Sequence, residues 1–403
     1  MKSILFVISD MKAGGGQKSL LSLLNSFPTD KYSVDLMVIK KEGIFLSQIP
    51  KEITLVEAPK ELISFYSSVT EKIFWSNLNI KCFCLKMLSI IGFRSHLLGN
   101  KRRGCQQQLL YSFWNKFIPN DKKHYDVAVS YIDDTNYYVI DHIIADKKIL
   151  WCHNDYNKLP YVATFDNSYY EKADKICTIS DICKNVLIDN FPKEKEKITV
   201  VENISSSRLI KQQADILPPS VKSADEFFND KSFKIISIGR LSEQKGFDYA
   251  IDSAKLLKQN NIDFHWYIIG EGPLREKLEK QINENGLDGI VKLIGLRANP
   301  YPYIKNADIF VMTSRYEGKS IALDEAKILC KPIVVTKYPT VFDSIKDGVN
   351  GKLVDLTPQH IADGIRILYE NTSLRNLFVE NLSKEQCGNE MYVINKFSTL
   401  IEQ

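Results

Sequence analysis

Residues Arg315 to Thr336 read RYEGKSIALDEAKILCKPIVVT, and the order of elements in and just before this stretch decides the fold. Asp308 to Thr313 (DIFVMT) is a short apolar run, long enough for one buried strand. Gly318-Lys319-Ser320 supplies a turn ending in a helix-capping serine, and Ile321 to Leu329 carries a helical pattern that stops before Pro332. Ile333 to Thr336 begins the next strand. Strand, turn, helix, strand is the repeating unit of a parallel sheet covered by helices. In that unit the helix start sits above the strand end. Its free backbone N–H groups, equivalent to about half a positive charge, make a seat for a diphosphate, and Lys319 and Ser320 add donors there. Glu317 stands before the helix, while Glu325 lies roughly 7–8 Å further along its axis. Each carboxylate can accept bonds from a pair of sugar hydroxyls.

Working outward, the same alternation recurs in both halves of the chain, so the fold class is α/β with two parallel-sheet domains. In the first half, strands are expected at Ser3–Ser9, Ser33–Ile39, Tyr125–Ser130, Lys148–Cys152, Lys175–Ile179 and Lys197–Val201, with a helix from Gln17 to Phe27. The pattern lapses into polar residues and Pro218-Pro219, which places a linker at 206–232 between domains at 1–205 and 233–385. The second half restarts with strands at Phe233–Gly239, Phe264–Gly270, Val291–Ile294, Ile309–Met312 and Ile333–Thr336. Helices fall between them, at Gly246–Gln259 and from Pro273 to Glu284. Residues 386–403 read as a last helix, expected to return to the first domain. Two doubly wound domains imply a cleft where strand ends and loops converge.

Composition bounds the function. At 403 residues, 44% hydrophobic and 25% charged, the chain is an ordinary globular one of two domains. A net charge of +4 is too weak to argue for nucleic acid. The eight cysteines lack paired zinc-site spacing, so reduced thiols and a cytoplasmic location are expected, with no metal and no cofactor. The apolar run in MKSILFVISD is too short for a signal peptide and fits a first strand. No segment reaches the ~18 apolar residues of a membrane span.

Three features would face the cleft. Gly14-Gly15-Gly16 follows the first strand and opens a helix, so backbone amides can approach a phosphate, although such a turn is often only a turn. Arg240 and Lys245 flank the loop after the second domain's first strand (SIGRLSEQKGFD), where a planar fork and a point charge can clamp one diphosphate. Either cation alone reads as a solvated residue. His153 ends a strand in ILWCHNDY and is either a satisfied core residue or a site residue. Asp133-Asp134 follows a strand and reads as a solvent-facing pair rather than a metal site.

On these motifs, together with IIGEGPLREKLE and DGVNGKLV, the chain resembles the family 4 glycosyltransferases, retaining enzymes of the GT-B fold, and within them those that build bacterial cell-surface polysaccharides. The likeness covers nearly the whole chain and is weakest from Pro50 to Asp126. It implies two Rossmann-like domains and transfer of a hexosyl or N-acetylhexosaminyl group from a nucleotide diphosphate sugar, with UDP favoured over GDP, to a saccharide or lipid-linked acceptor. By the resemblance, Glu317 would lie near the donor sugar's hydroxyls and Glu325 would hold the ribose. Arg240 and Lys245 would bind the diphosphate, with Gly15 or Gly16, Gly318, Lys319 and the amides of Ser320 and Ile321 completing its seat. His153 would approach sugar or acceptor, and the loop at Gly295-Leu296-Arg297 would hold the base. His153, Glu317, Arg240 and Lys245 are thus the expected catalytic set. Retention would have the acceptor hydroxyl attack the face the diphosphate vacates, with no metal and no protein nucleophile.

Ile73 to Asn120 contains seven Lys or Arg (Lys81, Lys86, Arg94, Lys101, Arg102, Arg103, Lys116) and no Asp or Glu, interleaved with aromatics. Such a segment suits an anionic membrane surface, on the inner face of the cell membrane, or else packs internally. Two other classes compete. An NAD-dependent oxidoreductase would use the glycine turn, but Lys40-Lys41 stands where its ribose-binding acid belongs. A catalytically inactive partner subunit would keep the fold and the nucleotide site.

Overall fold

Ile4 to Ile8 are all fully buried, as a strand must be when helices cover both faces of its sheet. The computed structural model describes residues 1–12, 14–77, 80–94, 103–217, 226–317, 320–385 and 387–403. The chain divides into two compact units, one of Met1–Ile204 with Met391–Gln403 and one of Ser205–Glu390.

The first unit holds β1 (Lys2–Ile8), β2 (Tyr32–Val38), β3 (Thr54–Val56), β4 (His124–Ser130), β5 (Ile144–Cys152), β6 (Lys175–Thr178) and β7 (Ile198–Val200). They form one sheet in the order β3-β2-β1-β4-β5-β6-β7, every pair parallel. The second unit holds β8 (Phe233–Ile238), β9 (Phe264–Ile269), β10 (Val291–Gly295), β11 (Ile309–Met312), β12 (Ile333–Thr336) and β13 (Lys352–Val354), ordered β10-β9-β8-β11-β12-β13 and again parallel. Each sheet reverses its winding once, between β1 and β4 and between β8 and β11. Loops at such a reversal splay apart and leave a crevice outside the strand ends, which is where ligands sit in this architecture.

Side chains alternate across each sheet. Ile4, Phe6 and Ile8 face one apolar layer while Leu5 and Val7 face the other, and Ile235 and Ile236 divide the second unit's layers in the same way. The last helix, Glu390–Glu402, puts Val393, Ile394, Phe397, Leu400 and Ile401 into the first unit's core.

Several expected boundaries move. β5 starts at Ile144 rather than Lys148, because its first half is a partly exposed alternating stretch whose ADKK sequence hides the strand. β3 and β13, three residues each, escaped the reading because so short a run carries no period. The expected linker at 206–232 is not a free connection. The helix Ser207–Ala214 forms within it, capped by Ser206 Oγ accepting from Leu209 N at 3.3 Å, and Ile210, Ala214 and Phe227 are buried in the second unit. A polar composition concealed three well-spaced anchors.

Candidate active site

The second unit builds its site at the β8/β11 reversal. The loop after β8 ends in Gly246, whose φ of +62° is left-handed and whose missing Cβ leaves room for Thr313 O, 2.1 Å from where that atom would lie. Thr313 Oγ1 in turn donates to Lys245 O at 3.0 Å. The loops after β8 and β11 are therefore pressed together, and Lys245 and Glu317 meet across them. Lys245 Nζ lies 2.6 Å from Glu317 Oε1, with the lysine stem passing over Gly239, where an added Cβ would come within 3.0–3.1 Å of its carbons.

Glu317 is held from several sides. Ser314 Oγ donates to Oε1 at 2.7 Å, Gln244 Nε2 to Oε2 at 3.3 Å, and Thr340 Oγ1 to the backbone carbonyl at 2.9 Å. Its side chain is only 7% exposed, so the charge is viable because lysine and these donors answer it. Arg315 faces the other way. Its guanidinium forks onto Asp248 (Nη1 to Oδ1 3.0 Å, Nη2 to Oδ2 2.6 Å), stacks on Tyr249 at 4.8 Å and donates to Glu243 O. The Asp248 bond raises the arginine's pKa further above its usual value.

The helix Ile321–Ile328 begins as expected, with Ser320 Oγ accepting from Leu323 N at 3.4 Å. Glu325, on its first turns, is 1% exposed, and Tyr301 OH donates to its Oε1 at 3.2 Å. Burial, and then that carboxylate, push the Tyr301 phenol well above its ordinary pKa. Gly318 and Lys319 lie outside the described residues. Arg240 is exposed, and among the described residues no side chain pairs with it, so the expected two-cation clamp has one engaged arm and one open arm. Arg297, expected at the base, is stacked on Tyr303 at 5.6 Å and donates to its hydroxyl at 3.0 Å beside the left-handed Gly295.

In the first unit the glycine turn and His153 come together at the β1/β4 reversal. Gly15 and Gly16 open the helix Gly15–Ser26, and a Cβ on Gly16 would stand 3.7 Å from the imidazole. His153 lies parallel to Trp151 with ring centres 5.4 Å apart, and its Nδ1 is 3.1 Å from Asn203 Oδ1. A neutral ring that donates from Nδ1 to this oxygen keeps its lone pair on Nε2. Nε2 is buried and has no hydrogen-bond partner among the described residues. Burial pushes the imidazole pKa down to about 4, so the ring is neutral at physiological pH and offers Nε2 as an acceptor.

The solvent-facing reading of Asp133-Asp134 is wrong. Asp133 is 8% exposed with Asn154 Nδ2 on Oδ2 at 3.2 Å, and burial lifts the two carboxyls to about 6 and about 7. The cause is the short turn at Asp133–Thr135, tied inward by Thr135 Oγ1 at 2.6 Å from Ser130 Oγ. No group of three metal-ligating side chains occurs among the described residues. The reading also passed over Gln244, Ser314, Arg315, Asp248 and Thr340. A usable signal was present for one pair, since an arginine two residues before Glu317 and an aspartate three after Lys245, at the start of its helix, are oppositely charged.

Residues 221–385 match the family described as glycosyl transferases group 1. An uncharacterized glycosyltransferase of Methanocaldococcus jannaschii is 30% identical over 233 residues, 53% of this chain and 56% of that protein. The N-acetylgalactosamine-N,N'-diacetylbacillosaminyl-diphospho-undecaprenol 4-alpha-N-acetylgalactosaminyltransferase of Campylobacter jejuni is 28% identical over 57% of this chain and 60% of its own length. The chain spans about half the length of the curated relatives it matches. In structure it is similar to Anabaena HepE in complex with UDP and glucose, with a TM-score of 0.69 over the whole of both chains at 16% identity. That likeness carries the fold: two parallel-sheet α/β domains of the GT-B class.

Proposed function

We propose that this chain, whose residues 221–385 match the glycosyl transferases group 1 family, moves a hexosyl or N-acetylhexosaminyl group from a UDP-sugar to a saccharide or lipid-linked acceptor in cell-surface polysaccharide synthesis. The observation that carries the reading is the Lys245–Glu317 pair beside a capped helix start at the sheet's reversal. A cation and a hydroxyl-accepting carboxylate stand together where a sugar joined to a diphosphate needs one of each. HepE is named as a complex with UDP and glucose, and the Campylobacter relative is named for an undecaprenol-linked acceptor, which supports the choice of donor and acceptor classes.

The chemistry follows from charge. As the bond from sugar to diphosphate breaks, positive charge grows on the ring and negative charge on the departing phosphate. Lys245, Arg240 and the helix N-terminus stabilise the leaving group without a metal. Glu317 accepts from the sugar's hydroxyls, and Glu325 from those of the ribose. The acceptor hydroxyl attacks the face the diphosphate leaves and gives its proton to that phosphate, so configuration is retained. Neutral His153 accepts a hydrogen bond through Nε2.

The membrane reading divides the basic segment. Phe74, Tyr111 and Trp114 are buried in the first unit, whereas the helix Ile80–Arg94 turns Ile80, Leu88 and Ile91 outward at 86%, 55% and 64% exposure, next to exposed Lys81. That face supports docking on an anionic lipid surface, and no helix among the described residues is long and apolar enough to cross one.

Thermal shift with UDP, GDP and NAD tests the donor: stabilisation by UDP and none by NAD is expected, and the reverse pattern would sink the proposal. Turnover of a radiolabelled UDP-sugar on isolated membranes distinguishes an enzyme from an inactive partner subunit.

A further inference from the structure

We infer that Arg315 is a positioning residue of the donor site: through Asp248 it sets where Lys245 stands, and so how the cation meets a phosphate. Arg315 cannot act on a phosphate itself, because both of its terminal nitrogens are committed to Asp248 and the Glu243 carbonyl, and its face to Tyr249. What it touches is informative. Glu243 precedes Lys245 by two residues and Asp248, on the first turn of the helix Phe247–Gln259, follows it by three, so one planar group ties together the chain on both sides of the lysine. Backbone bonds complete the frame, with Arg315 N donating to Gln244 O at 2.8 Å and Gln244 Nε2 donating to Tyr316 O at 3.0 Å.

The geometry gives this grip a purpose. Lys245 lies on a three-residue 3-10 turn, Glu243–Lys245, that ends in a left-handed glycine. So short a turn has little internal stability. A flexible ammonium on a mobile turn is a weak phosphate ligand, since ordering it costs free energy when the ligand binds. A guanidinium fork onto the loop removes that cost in advance, and it does so from the loop that also carries Glu317.

The inference rests on Lys245 as a diphosphate ligand, and the experiment separates the two claims. Affinities for UDP and for uridine are measured by calorimetry on wild type, Arg315→Gln and Arg315→Lys, and amide exchange of residues 243–248 is followed in the ligand-free proteins. Arg315→Gln is expected to weaken UDP about tenfold, leave uridine unchanged and speed exchange in 243–248, with Arg315→Lys recovering part of each effect. Equal losses for UDP and uridine would show a merely structural role. Unchanged exchange in 243–248 would overturn the inference outright. If wild type fails to prefer UDP over uridine, Lys245 as a phosphate ligand falls instead, and the exchange result still decides whether Arg315 holds the loop.

Discussion

The two sheet reversals use the same backbone plan and treat charge in opposite ways. At β8/β11, Lys245 answers Glu317 and Arg315 answers Asp248, so these two carboxylates are answered within the protein while exposed Arg240 stands open. At β1/β4, His153 Nε2, Asp133 Oδ1 and Asp134 Oδ1 are buried without hydrogen-bond partners among the described residues. An unmet buried polar atom costs about 1–3 kcal/mol. The second unit is thus poised to exchange internal partners for a ligand's groups, while the first holds lone pairs at a standing cost in stability.

The largest effect should come from breaking the balanced side. Lys245→Ala is expected to lower turnover of a UDP-sugar by about 10²–10³-fold, the range found for removing one preorganised stabilising group. It should also cost about 2 kcal/mol in denaturant melts by leaving the Glu317 charge alone. Adding Glu317→Gln should restore the stability and not the turnover, and recovery of both would show that the pair is structural. Gly246→Ala comes next. Its Cβ would overlap Thr313 O at an unfavourable φ, and a loss of about 3 kcal/mol in thermal unfolding is expected, with the two loops driven apart.

On the unbalanced side the effects are smaller and depend on pH. Asp134 has a folded pKa raised to about 7, so its neutral form is favoured in the folded protein, and stability is lost as pH rises through that value. Asp134→Asn should therefore gain about 2 kcal/mol more over wild type at pH 8 than at pH 5. His153 runs the other way. With a folded pKa of about 4, it opposes folding as pH falls below the ordinary histidine value, and His153→Gln should flatten the loss of stability between pH 7 and pH 5 by about 2 kcal/mol. A pH–rate limb near 6 that vanishes in this variant would contradict the neutral imidazole.

Much of this was readable in advance, for identifiable reasons. β1, β8 and β11 are short apolar runs bounded by polar or glycine turns, and a strand buried on both faces has little other way to be written. The glycine turn and the cap at Ser320 lie on signals local to the sequence, whereas Lys245 and Glu317 meet across 72 residues. Asp133 and Asp134 did not, because their burial is set by Ser130 and Thr135 folding the turn inward, and an acidic pair after a strand looks the same whichever way the turn bends. Arg315 stood inside the deciding stretch and carried no mark of its role, since its partners Glu243 and Asp248 lie 72 and 67 residues away. Pairings across that distance come from topology rather than composition.

The last helix also bears on how the protein is made. Phe397 meets Phe6, Phe27 and Trp151 in one ring cluster, and Glu402 ties Lys2 and Tyr32 at the opposite end of the chain. A ribosome finishing the first unit's seventh strand must still thread all of Ser205–Glu390 before that helix emerges, on the order of ten to forty seconds at ordinary elongation rates. Throughout that interval the apolar layer around Phe6 and Trp151 lacks the cover that Phe397 supplies, and the second unit is complete before the first. The half of the protein written first is the half completed last.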